Sequence, residues 1–166
     1  MSLTITPDNI EIYPDGSSVP SNTVVEHTAT LSSNCVVESG VVFTGGVTIR
    51  AHTSIADNVR FLKQATVGDN VTFGESARFD GTTSFGNGVK IGHGASLAKD
   101  LIAGDRLIVG NRCTASGSIT AGESVAIGRR LRMTGSLTAE ANLTVNSHAR
   151  IRKERKIWRQ CLARVR

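Results

Sequence analysis

The sequence predicts an all-β chain: a single-stranded, parallel, three-sided β-helix of about seven 18-residue coils. Three observations predict it. An apolar residue recurs every six positions, a small or apolar companion precedes it by two, and in most hexads glycine or a small polar residue follows it. Counting by six from Val25 gives Val25, Leu31, Val37, Phe43, Ile49 and Ile55, and the count runs on through Phe61, Val67, Phe73, Phe79, Phe85 and Ile91 to Ile151. That makes 22 hexads without an insertion, every marked residue apolar. The companion is Thr, Ala, Val, Cys, Leu or Ile at each position from Thr23 to Ala149. A repeat of this regularity outranks any local propensity.

Each hexad reads as one short strand and one corner. The companion and the marked residue point inward and the residue between them points out, as strand alternation requires. Gly68-Asp69-Asn70 and Gly86-Asn87-Gly88 supply the residue types that tolerate the positive φ of a sharp corner. Three strands and three corners close one coil, and seven coils at one strand spacing each give a prism roughly 35 Å long. Sorted by coil, one face stacks Val37, Ile55, Phe73, Ile91, Val109, Ile127 and Val145. On another, the marked residues shrink to Ala103, Ala121 and Ala139 while their companions grow to Leu101, Ile119 and Leu137. Summed volume is held, as a packed interior demands. A β-sandwich would show irregular spacings of about 8 to 12 residues instead.

The coils occupy residues 23–152, with a cap segment at 1–22 and a basic segment at 153–166. Residues 3–12 (LTITPDNIEI) read as a strand-turn-strand that covers the exposed backbone of the first coil. In KERKIWRQCLARVR, Ile157, Trp158, Cys161, Leu162 and Val165 share one helical face, with Lys153, Arg155, Lys156, Arg159, Arg164 and Arg166 in the same segment. The expectation is an amphipathic C-terminal helix. The alternatives are a cap whose basic side is solvated, a dock for an acidic membrane surface or protein partner, and a disordered tail.

Net charge is +5, but residues 150–166 hold eight Lys/Arg against one Glu, so the preceding 149 residues sum to −2. A near-neutral body with a basic tail does not predict specific nucleic-acid binding. No apolar run reaches the length of a membrane span, and the start has no secretory-signal pattern. Three cysteines, an odd number, argue for a reducing compartment, with Cys35 and Cys113 on inward positions. These features predict a cytoplasmic protein, with membrane association only through its tail.

The hexads VGDNVT, FGESAR and IGHGAS resemble the hexapeptide-repeat, left-handed β-helix family over about residues 23–100. That resemblance implies a trimeric, acyl-CoA-dependent acyltransferase with sites between subunits, or a degenerate relative. Further on, LIAGDRLIVG, ITAGESVAIG and LTAEANLTV, spaced 18 residues apart, resemble the repeats of bactofilins. This second resemblance implies a polymer-forming cytoskeletal β-helix that is right-handed and assembles end to end. Both families have three-sided coils, so the period leaves the handedness open.

The acyltransferase reading needs a loop that leaves the prism and a histidine acting as general base. The register never breaks between residues 23 and 152, so no loop is expected. His27, His52, His93 and His148 all fall at corners, and His93 in GHGA is the one candidate base, against the plainer reading of a solvated corner residue. No metal site or cofactor is expected. GNGVKIGHG lacks the following helix that a phosphate loop requires. The outward residues say more. Thr30, Thr48, Thr66, Ser84, Ile102, Thr120 and Thr138 form an uncharged ladder on one face, a candidate self-association surface, although threonine suits strands for its own sake. A non-catalytic, self-associating scaffold is therefore expected, with the acyltransferase as the alternative.

Overall fold

The computed structural model describes residues 4–5, 10–152 and 155–157. Over them the chain winds as a three-sided solenoid of about eight coils, each side a sheet of parallel strands paired at 18-residue intervals. We label the sides by their outward rows. Face A carries Thr48, Thr66 and Ser84; face B carries Ser54, Thr72 and Lys90; face C carries Arg60, Arg78 and Ser96. The strands of A, B and C follow one another along the chain, so the prism has an A–B, a B–C and a C–A corner.

The register is the predicted one. All inward positions from Val25 to Val145 are buried, while the residue between each pair is exposed or half-buried. Ala103, Ala121 and Ala139 are buried beside Leu101, Ile119 and Leu137, so the swap of large and small side chains does fill the interior. Phe43, Phe61 and Phe79 stack in a column on face C with ring centroids 5.2 and 5.0 Å apart. Phe73 meets Phe79 edge-on at 5.0 Å and stacks with Phe85 at 5.5 Å, so three walls share one aromatic cluster. Between coils the backbone is tied throughout, for example from Ser96 N–H to Ala77 C=O and from Thr114 N–H to Ala95 C=O, both 2.9 Å.

Two boundaries differ from the expectation. The winding starts earlier than Val25: Ile10–Tyr13 pairs in parallel with Thr28–Leu31, and Ser18–Val19 with Val36–Val37. Tyr13 and Val19 keep the six-residue count and are buried, which is why an eighth coil fits before the seven. Thr4–Ile5 then pairs antiparallel with Ile10–Tyr13 and covers the first edge of face A, as a strand-turn-strand cap should. At the other end Arg155–Ile157 is not the first turn of a helix but one more strand, paired with Leu137–Ala139. Ile157 is six residues after Ile151, and the unpaired edge of face A offers that backbone a ready ladder. The remainder of the expected helix, 158–166, lies outside the described residues.

The corners explain the small residues. At the B–C corner, and at the A–B corner as far as Arg106, the third residue after the marked position takes positive φ, as at Asn22, Asn58, Asn70, Gly40, Gly88 and Gly94. The C–A corner turns without positive φ among the described residues, and, as at Gly92 and Gly110 of the B–C corner, backbone presses on backbone: a Cβ on Gly45 would lie 2.3 Å from the His27 carbonyl oxygen. The neighbouring Gly46 has nothing nearer than 3.8 Å. Gly45→Ala is therefore expected to destabilise the fold by about 1–3 kcal/mol, and Gly46→Ala to leave it unchanged within about 0.5 kcal/mol. Urea unfolding of the two variants checks the contrast.

Candidate functional site

His93 stands exposed at the B–C corner, but its ring is already occupied. The backbone N–H of Asn111, one coil on, donates to His93 Nδ1 at 2.9 Å. His93 thereby does what carboxylates and amides do at other corners. Asp57 Oδ1 accepts from Glu75 N–H at 2.6 Å, Asn87 Oδ1 from Asp105 N–H at 2.8 Å, and Asn111 Oδ1 from Arg129 N–H at 2.7 Å. Each ties a residue to the amide 18 positions later, satisfying a donor that the turn leaves without a ladder partner. This capping row was missed in the sequence, although Asp69, Asn87 and Asp105 at 18-residue intervals are its signal.

His52 and His148 occupy positive-φ corner positions, at φ 60° and 65°, and His27 lies at the C–A corner. The structure brings none of these imidazoles to His93, and no group of three His, Cys, Asp or Glu among the described residues could hold a metal ion. Cys113 is buried, and burial pushes its thiol up from the ordinary value, which keeps it protonated and a poor nucleophile. Cys35 is buried as well, its thiol donating to the Pro14 carbonyl at 3.1 Å.

The outward row of face A is brought together as expected. Thr30, Thr48, Thr66, Ser84, Ile102, Thr120 and Thr138 are register neighbours from coil to coil. Ile102 is its most exposed apolar member at 56 %. Of the tail residues, Arg155 and Lys156 take the register positions beyond Leu137 and Thr138. Lys153, Arg159, Arg164 and Arg166 lie outside the described residues.

A second group was not foreseen. On face C, Arg60 and Arg78 share the carboxylate of Asp80, at 3.3 and 2.8 Å. Near the C-terminal end, Arg112, Arg129 and Arg130 sit on the B–C corner, Arg132 and Arg150 on face C, and Arg152 just past it. Among the described residues no carboxylate lies within 4.0 Å of any of these six, because Asp100, Asp105, Glu123 and Glu140 occupy the other two corners. Three contiguous depressions run between them. The largest, about 410 Å³, is lined by Arg132, Arg150 and Arg152 with the hydroxyl residues Thr114, Ser116 and Thr134. The other two share Arg112 and Arg130. Local charge along the chain hides the cluster, since acids of the same coils dilute it; only sorting by corner reveals it.

No helix among the described residues is long and apolar enough to cross a membrane. No protein-family profile, curated protein or solved structure is significantly similar to the chain.

Two outcomes are expected. His93→Asn keeps an acceptor and leaves stability within about 0.5 kcal/mol, whereas His93→Leu orphans the Asn111 amide and costs about 1 kcal/mol, read by urea unfolding. The hydrogen bond from Arg78, supported by Arg60, holds the Asp80 carboxyl below its ordinary value. Because the folded value is the lower one, this stabilisation is present above the ordinary carboxylate range and is lost as pH falls through the depressed value. Asp80→Asn should therefore flatten the acid limb of a stability–pH profile below about pH 4.

Proposed function

We propose that the chain is a non-catalytic structural scaffold that associates with itself, bactofilin-like in kind and polymer-forming. The observation that carries this reading is a prism wound without a break from Ile10 to Ile151, whose face A is uncharged from Thr30 to Thr138. A flat row of threonines, broken only by Ser84 and Ile102, offers little concavity for a substrate. It does offer an extended surface on which a second copy can pack without desolvating charge.

Charge along the axis supports ordered association. Residues 10–82 hold eight acids and four Lys/Arg, a net of −4, while residues 83–152 hold four acids and nine Lys/Arg, a net of +5. Copies stacked end to end bring unlike halves together, which steers encounter and penalises like-end contacts. The sequence from Lys153 onward is basic as well, a further source of contact for acidic partners.

The alternative is a hexapeptide-type acyltransferase. Its base would be His93, whose Nδ1 already accepts from Asn111, leaving only Nε2 for chemistry. Light scattering after size exclusion and negative-stain microscopy separate the two. The scaffold reading predicts salt-dependent assemblies or filaments. Thr48→Lys, Thr66→Lys and Thr120→Lys together should reduce these to monomer without lowering the unfolding midpoint. A discrete trimer that binds coenzyme A at micromolar concentration would replace the scaffold reading with the enzyme.

A further inference from the structure

We infer that the arginine-lined groove at the B–C corner and face C of the last three coils is a binding site for a soluble ligand carrying two or more phosphate groups. Two independent observations carry it. The first is convergence without neutralisation. Six guanidinium groups surround connected depressions, and among the described residues none has a carboxylate within 4.0 Å. Arg132 and Arg150 project from register-paired strands, so their side chains leave the backbone about one strand spacing (~4.8 Å) apart. That spacing lets two planar donor forks address neighbouring oxyanions, and Thr114 and Ser116 line the same groove with hydroxyls.

The second observation is backbone strain. At the positive-φ position of the B–C corner, successive coils place Asn22, Gly40, Asn58, Ser76 and Gly94, then Arg112, Arg130 and His148. The first five are mostly types that hold this conformation cheaply; arginine is not, yet Arg112 and Arg130 hold φ 58° and 60° on adjacent coils. Arg106 holds the same conformation at the A–B corner, so strain alone does not select the site. What selects it is two strained arginines stacked beside Arg132 and the groove. A residue that costs stability where asparagine would not is a mark of function rather than of folding.

The chemistry narrows the ligand. Among the described residues every phenylalanine and Tyr13 are buried, so none of these rings is offered to stack a base. The exposed large apolar residues Val24, Val36, Leu62, Ile102 and Ile108 all lie outside the groove, so among the described residues none there would insert into a lipid layer. What remains is multivalent recognition of phosphate oxygens. This site is separate from the threonine row, and its test does not depend on self-association.

The experiment is isothermal titration of the full chain with inorganic tripolyphosphate at constant ionic strength. Saturable binding is expected, with one ligand per chain. Arg112→Asn with Arg130→Asn should weaken it by about tenfold or more, while the thermal midpoint stays unchanged or rises. Arg60→Gln with Arg78→Gln removes the same charge from groups already tied to Asp80 and should change affinity by less than about twofold. Equal losses from both pairs would reduce the effect to net charge and overturn the site. So would a lowered midpoint in the asparagine pair, or an absence of saturable binding. Binding to phosphatidylglycerol vesicles without any response to tripolyphosphate would overturn it in favour of a membrane surface. Loss of self-association in the asparagine pair, again with no response to tripolyphosphate, would overturn it in favour of contact with a second copy.

Discussion

Everything in this molecule depends on one constraint: residue n must lie directly over residue n + 18. A strand of two to four residues cannot satisfy its own backbone, and among the described residues no strand pairs with its neighbour in sequence except at the N-terminal cap. Strand amides are met by the coil before or after, as Ser54 N–H is by Cys35 C=O, so a coil depends for its stability on its stacking. The same constraint holds the interior. Phe43, Phe61 and Phe79 can stack because they are 18 residues apart, and a shift of one would turn every inward side chain outward.

The corners carry the cost of that regularity, and they meet it in two ways. Where the chain turns through positive φ, Asn and Gly dominate and a side-chain oxygen caps the amide of the next coil. Where it turns from face C to face A, glycine lets one coil rest on the next. The uninterrupted register is the visible consequence of this demand, since an inserted loop would have to restore both the pairing and the capping row. A chain under such a demand leaves its faces and ends as the surfaces on which function can vary.

Much of this was legible in the sequence. Hexad spacing alone determined strand positions, inward residues and the compensation of Ala103 by Leu101, because burial in a solenoid is a strictly periodic property. Four things were not. The start of the winding was obscured because Pro14 and Pro20 disguise the first hexads, although Tyr13 and Val19 keep the count. The terminal segment has a helical apolar pattern, but over Arg155–Ile157 pairing with the open edge of face A prevails over it. Placing His93 at a corner was correct, yet only coordinates show its Nδ1 engaged by an amide 18 residues away. The arginine groove was illegible for a similar reason: its members come from three coils and two sides, and nothing local marks them as neighbours.

Structure and proposed roles thus share one origin. The register makes the threonine row straight, places unlike charge at opposite ends, and stacks Arg112 over Arg130. The most direct test of that register is a pair of internal deletions followed by circular dichroism and thermal unfolding. Removing residues 68–85 takes out one whole coil and joins Val67 to Gly86, so every remaining residue keeps its place in the count. Removing residues 68–84, one residue fewer, moves the following residues off register. The account predicts that the 18-residue deletion retains the β-sheet spectrum and a cooperative transition, while the 17-residue deletion loses both. Equal behaviour of the two proteins, folded or unfolded, would contradict it.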